Sequence, residues 1–359
     1  MNATATATRA TTRRWSLDVT RVVAVMGVAA IHVFAGLVAN PVRHGSAGWW
    51  GAVVVDIGFV WVVPVFVMIS GALILEPRQY EQGPSSFYRR RLLRLAPALV
   101  FWSLFYFFVI RTALTGASIS RADLVRFFLE GRPYTHLYFL WLIVGLYAVA
   151  PVFAAFLKEG GQRRAVIFAT TVLVATVVTG SSSSLLTAMG DPRPLTLLAL
   201  TQWLPYAGYF LAGWALRGLV LRGWRLAVGL LVTFVALVVP IAQYGLRPRT
   251  GVLDAVAPVS YFGPFVAIAS IGVFVCANSL LSGWTPRERG ARILRELSDS
   301  AFGVFLVHFA IMLVMRRTPL FAAADSSFLL TVLEWVLVVV LSFAVVYGIR
   351  RIPYLRRVV

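Results

Sequence analysis

Long apolar runs alternate with short polar connections along almost the whole chain. The runs hold about twenty residues each and end at charged residues or at clusters of Gly, Pro and Ser. An α-helix of roughly that length crosses the hydrocarbon core of a bilayer. This pattern predicts an all-α fold, a polytopic transmembrane helix bundle with about ten spanning helices. The predicted spans are residues 15–38, 49–75, 93–112, 136–157, 164–180, 195–216, 225–245, 259–281, 298–315 and 328–349.

Basic residues are distributed unevenly between the connections. Every second connection is rich in Arg, and examples are residues 89–94, 287–295 and 350–357. Because cytoplasmic loops of membrane proteins hold the excess of Lys and Arg, both termini are predicted to be cytoplasmic. We therefore divide the chain into a short disordered cytoplasmic N-terminus at 1–14, a single transmembrane domain at 15–350 and a short basic cytoplasmic tail at 351–359.

Composition agrees with a membrane location. Of the 359 residues, 59% are hydrophobic and 13% are charged, whereas soluble domains average about 45–50% apolar residues. The net charge of +19 could suggest a nucleic-acid partner, but the arginines lie between apolar runs and form no continuous patch, so we expect none. The single cysteine excludes an intramolecular disulfide. We expect a multi-pass protein of the cytoplasmic membrane.

The first predicted span contains three ionisable residues, Asp18, Arg21 and His32. In an α-helix, Arg21 and His32 differ by only ~20° in azimuth and lie ~16 Å apart along the axis, so they share one face. Asp18 precedes Arg21 by three positions, which is the spacing at which opposite charges on a helix meet. An ion pair between Asp18 and Arg21 is therefore predicted.

Ionisable side chains in a spanning helix usually face a cavity or a partner, and they are by default a functional-site hypothesis. The alternative is that Asp18 and Arg21 merely lie at the membrane interface and that His32 is a hydrogen-bonded packing residue. The occurrence of all three in one helix favours the functional interpretation.

The second predicted span contains Asp56 in its outer half and Pro64 near its middle. A proline inside a helix removes a backbone donor and collides with the preceding turn, so a kink is predicted, with a cavity nearby. Asp56 has two interpretations, a hydrated carboxylate at the interface or a group that binds an acceptor molecule. Ser70 and Gly71 indicate close helix packing.

The segment that leads into the third span reads FYRRRLLRLAP at 87–97. Arg91 and Arg94 are three positions apart on one helix face, where their guanidinium groups could hold a phosphate-rich ligand. The same cluster could instead orient the chain and bind anionic lipid head groups. The residues alone favour this second interpretation.

Later spans contain further candidates. His136 begins the fourth span beside Tyr138 and Trp141, which fit an aromatic belt, and it could hydrogen-bond a ligand or close an outer vestibule. His308 lies deep in the ninth span and is either a structural histidine or a site residue. Glu334, in the last span, either reaches the lipid head groups or contacts the lumen of the bundle. The sequence contains no zinc spacing, nucleotide loop or nucleophile elbow, so we expect no metal and no permanently bound cofactor.

Taken in order, these segments resemble the acyltransferase-3 family of integral-membrane acyltransferases. The resemblance extends over about residues 14–350, and its most specific element is the spacing from Arg21 to His32. The other matching segments are VPVFVMISGALIL at 63–75, FYRRRLLRLAP at 87–97, HLYFLWLIVGLY at 136–147, YFLAGWALRG at 209–218 and LSDSAFGVFLVH at 297–308.

The resemblance implies that the domain at 15–350 is a ten-helix acyltransferase that uses cytoplasmic acetyl-CoA, or another acyl-CoA, as co-substrate to O-acylate a glycan or another hydroxylated acceptor. By matched position, His32 and Arg21 become the catalytic pair, and Arg91 and Arg94 become candidates for binding the donor's phosphates. His32 would act as a base on the acceptor hydroxyl or would transiently hold the acyl group. Asp18 would orient Arg21.

Acceptor binding and the outer vestibule have three weaker candidates, Asp56, His136 and His308. The expected partners are acyl-CoA, the hydroxylated acceptor and membrane lipid. One competing hypothesis is a transporter or flippase of a lipid-linked or amphiphilic substrate, which the kinked second span and the buried charges would also suit. Another is a structural or assembly subunit without small-molecule chemistry.

Overall fold

The computed structural model describes residues 13–249 and 251–359, and within these residues the chain is helical and contains no strand. This confirms the predicted all-α bundle. The predicted disordered N-terminus lies almost wholly outside the described residues. The α-helices are α1 (Trp15–Ala39), α2 (Ala47–Gly58), α3 (Val62–Ile74), α4 (Gly83–Leu104), α5 (Arg121–Glu130), α6 (Tyr138–Ala188), α7 (Ala207–Leu216), α8 (Trp224–Gly245), α9 (Gly251–Val256), α10 (Pro264–Leu280), α11 (Glu288–Met315) and α12 (Phe328–Arg350).

Helical stretches long and apolar enough to cross a membrane number seven in the described part of the chain. They include α2 with α3, and α4 with the π-helix Phe105–Leu114 that continues it. The other five are α1, α6, α8, α11 and α12. A multi-pass membrane protein is thus supported by length and composition.

The predicted count of ten differs from seven at three places. Helix α6 has 51 residues but leaves helical geometry at Gly161, where φ is 56° and ψ is −149°, and two spans were predicted within it. Helices α7 and α10 match the predicted sixth and eighth spans but have only 10 and 17 residues. The exact count and the cytoplasmic location of both termini stay predictions.

The predicted kink in the second span is confirmed as a break. Helix α2 ends at Gly58 and α3 begins at Val62, so Pro64 falls in the first turn of α3. A proline is tolerated there because the first N–H groups of a helix have no partner within it. The chain therefore changes direction before the proline, beside the middle of α1, against which both helices pack.

Helix α1 belongs to both apolar cores of the bundle. Its first half, with Ala24 and Val28, packs in a core built mainly from α3, α4, α6, α7 and α11. Its second half, with Ala30 and Phe34, packs in a smaller core with α2 and α12. The helix with the most ionisable candidates is consequently held along its whole length.

Helices α3 and α7 approach each other through glycines. A Cβ atom on Gly71 would collide with the carbonyl oxygen of Phe210, and one on Gly213 would collide with the carbonyl oxygen of Met68. Small residues allow this approach, which maximises van der Waals contact between helices in a membrane. The packing role predicted for Gly71 is confirmed.

Replacement Gly213→Ala is expected to destabilise the bundle by about 1–3 kcal/mol, because the new methyl group must push α7 away from the α3 backbone. Thermal unfolding of the purified protein in detergent would measure this as a lowered melting temperature. The control is Gly218→Ala, since a Cβ atom at Gly218 would meet no atom within 4 Å. Equal melting temperatures for the two variants would contradict the prediction.

Candidate active site

Three histidines from separate parts of the chain meet inside the bundle. His32 lies on α1, His308 lies on α11, and His136 lies in the turn just before α6. The ring centroids are 5.4 Å apart for His32 and His308, 6.1 Å for His32 and His136, and 5.2 Å for His136 and His308. The two residues that the sequence offered as weak candidates are thus neighbours of the predicted catalytic histidine.

The hydrogen bonds of His308 define its tautomer. Its Nδ1 lies 2.8 Å from the carbonyl oxygen of Phe305 and 3.2 Å from that of Val304. Because a carbonyl oxygen only accepts, we assign the proton to Nδ1. The Nε2 atom is then an unprotonated acceptor, and it is buried without a hydrogen-bond partner in the described residues.

The three histidines differ in solvent exposure. His136 and His308 are 2% and 1% exposed, whereas His32 is only partly buried. Phe309 supports the cluster, because its ring stacks on His136 at 5.3 Å and meets His32 edge-on at 4.9 Å. His32 is therefore the least buried residue of the three, although it does not itself line the cavity described next.

A cavity of about 1100 Å³ lies beside α1, and seven of its 24 lining residues are arginines. Arg21, Arg91 and Arg94, the three predicted from sequence, all line it. Asp299 is the one acidic residue among the described lining residues. Four further arginines that sequence analysis did not single out also line it, namely Arg78, Arg350, Arg356 and Arg357.

Arg91 is held in place within this cavity. Its Nη2 donates a 2.8 Å hydrogen bond to Oε1 of Gln79. The guanidinium group also lies over the rings of Phe87 and Tyr147, with centroid distances of 5.4 Å and 5.6 Å. Contacts with two aromatic rings leave the guanidinium group with few orientations. The conformational entropy that it loses when it binds an anion is therefore smaller.

Aromatic side chains also line the cavity. Phe66, Phe139 and Phe305 line it, with ring centroids 6.1 Å apart for Phe66 and Phe139 and 5.2 Å apart for Phe139 and Phe305. The ring of Phe305 also lies 5.4 Å from that of His136. Phe305 is therefore in contact with the arginine cavity on one side and with the histidine cluster on the other.

The predicted ion pair between Asp18 and Arg21 is wrong. Asp18 instead pairs with Arg13, whose Nε and Nη2 lie 2.6 Å and 2.8 Å from its two oxygens. Ser298 connects the predicted partners, because its hydroxyl donates to Asp18 at 2.6 Å and accepts from Nη1 of Arg21 at 3.1 Å. Asp18 does not line the cavity and can orient Arg21 only through this serine.

The chain is similar to a known protein family. A family model described as an acyltransferase domain, the model of the acyltransferase-3 family, matches residues 14–351. The chain belongs to this family. The match includes every candidate residue described above except Arg13, Arg356 and Arg357. No curated protein and no solved structure gives a match. Family membership indicates membrane acyltransferase activity.

Asp56 of this acyltransferase is half-buried on α2 and has no ion pair or hydrogen bond among the residues that the structure describes. It does not line the arginine cavity. Tyr261 lies within electrostatic reach of its carboxylate, and the rings of Tyr206 and Tyr261 are 6.3 Å apart. Both interpretations of Asp56, interfacial carboxylate and acceptor-binding group, are compatible with this position.

Tyr106 is a site residue that sequence reasoning missed. Its hydroxyl donates to the carbonyl oxygen of Leu306 at 2.8 Å and accepts from the N–H of Ala310 at 3.1 Å. Leu306 and Ala310 are four positions apart on α11, so the hydroxyl is inserted between a donor and an acceptor that a regular helix would pair directly. His308 lies in the turn that Tyr106 contacts. Tyr106 sits in an aromatic run, FYFF, without a distinguishing motif.

An ion pair that the sequence also failed to predict fixes α1 next to His32. Glu334 of α12 is fully buried and accepts from Nε and Nη2 of Arg316 at 2.8 Å and 3.2 Å. Arg316 also lies 2.9 Å from Asp325 and donates to the backbone carbonyl of Val33 at 2.9 Å. Of the two roles considered for Glu334, the structure supports a contact inside the bundle.

Replacement Glu334→Gln is expected to lower the stability of the protein by on the order of 2 kcal/mol, because Arg316 stays buried with a weaker set of acceptors. A lowered melting temperature in detergent would measure the effect. Glu130→Gln provides the control, since it removes an exposed i,i+4 pair with Arg126 and should change little. An unchanged melting temperature for Glu334→Gln would show that the buried pair does not stabilise the fold.

Proposed function

We propose that this protein is a membrane O-acyltransferase that moves an acyl group, acetyl in the simplest case, from cytoplasmic acyl-CoA to a hydroxyl group of a glycan or another hydroxylated acceptor. The observation that supports this most strongly is that α1 presents Arg21 to an arginine-lined cavity and His32, further along the same helix, to a cluster of largely buried imidazole rings.

The arginine cavity suits the donor. Acyl-CoA contains a pyrophosphate and a ribose 3′-phosphate, and guanidinium groups bind phosphate oxygens through paired, charge-assisted hydrogen bonds. A volume of about 1100 Å³ exceeds the upper end of the usual range for ligand pockets, about 1,000 Å³. The ~16 Å along α1 between Arg21 and His32 matches a ligand whose phosphates bind at one end and whose thioester lies at the other.

The histidine cluster suits the transfer step. His32 would take the proton from the acceptor hydroxyl, whose oxygen attacks the thioester carbonyl carbon. The C–S bond then breaks, the acyl group stays on the acceptor oxygen, and the CoA sulfur leaves and receives the proton. His136 and His308 pack against the His32 ring and would hold its orientation, and Asp56 is the proposed contact for the acceptor.

Replacement His32→Ala is expected to reduce acyl transfer by about 10²–10⁴-fold, which is the usual contribution of a positioned general base. Membranes containing the variant would be incubated with labelled acetyl-CoA and glycan acceptors. CoA binding should persist, because the arginine cavity is unchanged. The control is His44→Ala, since His44 lies in an exposed turn between α1 and α2. Undiminished transfer by His32→Ala would remove this residue from the mechanism.

A different result would favour a transporter. Movement of an amphiphilic substrate across proteoliposomes without acyl-CoA, combined with no cleavage of the thioester, would contradict the enzyme proposal as a whole.

Replacement Arg91→Ala is expected to raise the KM for acetyl-CoA by about tenfold with little change in kcat, because one charge-assisted contact with a phosphate is lost. Steady-state kinetics with varied acetyl-CoA would measure this. Arg89→Ala is the matched control, since Arg89 is exposed and does not line the cavity. If both variants keep the wild-type KM, the arginines of α4 serve orientation and lipid contact only.

A further inference from the structure

The segment after α12 folds back onto the bundle and forms part of the arginine cavity. The backbone makes a 3-10 turn at Leu355–Arg357. The indole Nε1 of Trp102 on α4 donates to the carbonyl oxygen of Val358 at 2.7 Å. The side chain of Val359 packs closely on Gly303 of α11. A Cβ atom added at Gly303 would lie only 3.0 Å from the Cβ atom of Val359. This part of the predicted basic tail is therefore folded structure.

Arg356 and Arg357 line the cavity from this turn. Neither side chain has an ion pair or a hydrogen bond to another described residue, and both are exposed. They join five other arginines around a single described carboxylate, that of Asp299. Such a concentration of like charge is unfavourable unless an anion neutralises it. Two guanidinium groups in one short turn form a suitable grip for a single phosphate group.

Differences in burial indicate which phosphate would lie there. Arg21 and Arg91 are partly buried, whereas Arg356 and Arg357 are exposed, as are Arg78 and Arg94, so we take the exposed arginines to lie nearer the opening of the cavity. A donor that enters thioester first has its pyrophosphate nearer the inner arginines and its ribose 3′-phosphate nearer the opening. The turn thus lies where the end of the donor furthest from the thioester would be.

We propose that Arg356 and Arg357 bind the ribose 3′-phosphate of the acyl-CoA donor and so let this protein distinguish acyl-CoA from its 3′-dephospho form. This inference rests on the proposed function, since it assumes that acyl-CoA is the donor. It assigns to the turn after α12 a role in donor specificity, whereas Arg21 and Arg91 serve the inner part of the same molecule.

The test compares two donors and two variants. Kinetics and equilibrium binding would be measured with acetyl-CoA and with acetyl-3′-dephospho-CoA, on the full-length wild type and on the double variant Arg356→Gln/Arg357→Gln. We expect the wild type to prefer acetyl-CoA by about tenfold or more in KM and Kd, since one such charge-assisted contact corresponds to that ratio. In the double variant the preference should fall to near one, with kcat unchanged.

The control is Arg351→Gln. Arg351 is an exposed arginine of the same segment that lies over the ring of Tyr347 and does not line the cavity, so this variant should keep the wild-type preference. A double variant whose affinity for both donors falls by the same factor, so that the preference for acetyl-CoA is retained, would assign the turn a structural role only and overturn the proposal.

Two further outcomes also overturn it. One is a wild type that does not distinguish the donors. The other is a double variant that keeps the wild-type preference between the donors but binds vesicles of anionic lipid less tightly than the wild type. That result would assign these arginines to the membrane surface. Failure of the proposed function looks different, because the wild type would then bind neither donor and transfer no acyl group.

Discussion

Ionisable side chains inside an apolar helix bundle need partners, and this constraint decides much of the arrangement described here. Asp18 has Arg13 and Ser298, and Glu334 has Arg316. Ser298 of α11 thereby joins Asp18 across the bundle, and Arg316 joins Glu334 of α12 to the backbone of α1 at Val33. The Nε2 atom of His308 is an instructive exception among the described residues, because it is buried without a partner in the cluster where the transfer step is proposed. Burial without a partner is unfavourable unless a ligand supplies one.

Local features were predictable from sequence. The break before Pro64 follows from the geometry of one residue, and the close approach at Gly71 follows from the absence of a side chain. The convergence of Arg21, Arg91 and Arg94 was also predictable, since alternation of spans places them on one side of the membrane. The histidine cluster was not predictable, because the rotation of α1, α11 and α6 about their axes is determined by packing between helices that are far apart in sequence.

The error at Asp18 has a simple physical cause. Spacing along a helix shows which charges can meet, but it does not show which of several candidates is preferred. Arg13 lies just before the helix and reaches Asp18 with two donors, whereas Arg21 is drawn toward Ser298. Glu334 and Tyr106 illustrate the same limit, because their partners come from α11 and are 18 and 200 residues away in sequence.

Helix α1 runs without interruption from Trp15 to Ala39, so the separation between Arg21 and His32 is determined by residue count and not by the packing of loops. The helix therefore keeps these two residues at a constant distance along its axis. Inserting one residue between the two would advance His32 by ~1.5 Å and rotate it by ~100°, away from His136 and His308. Substitutions along α1 can change single side chains, but a change of length would turn His32 away from the other two histidines while Arg21 stayed at the cavity.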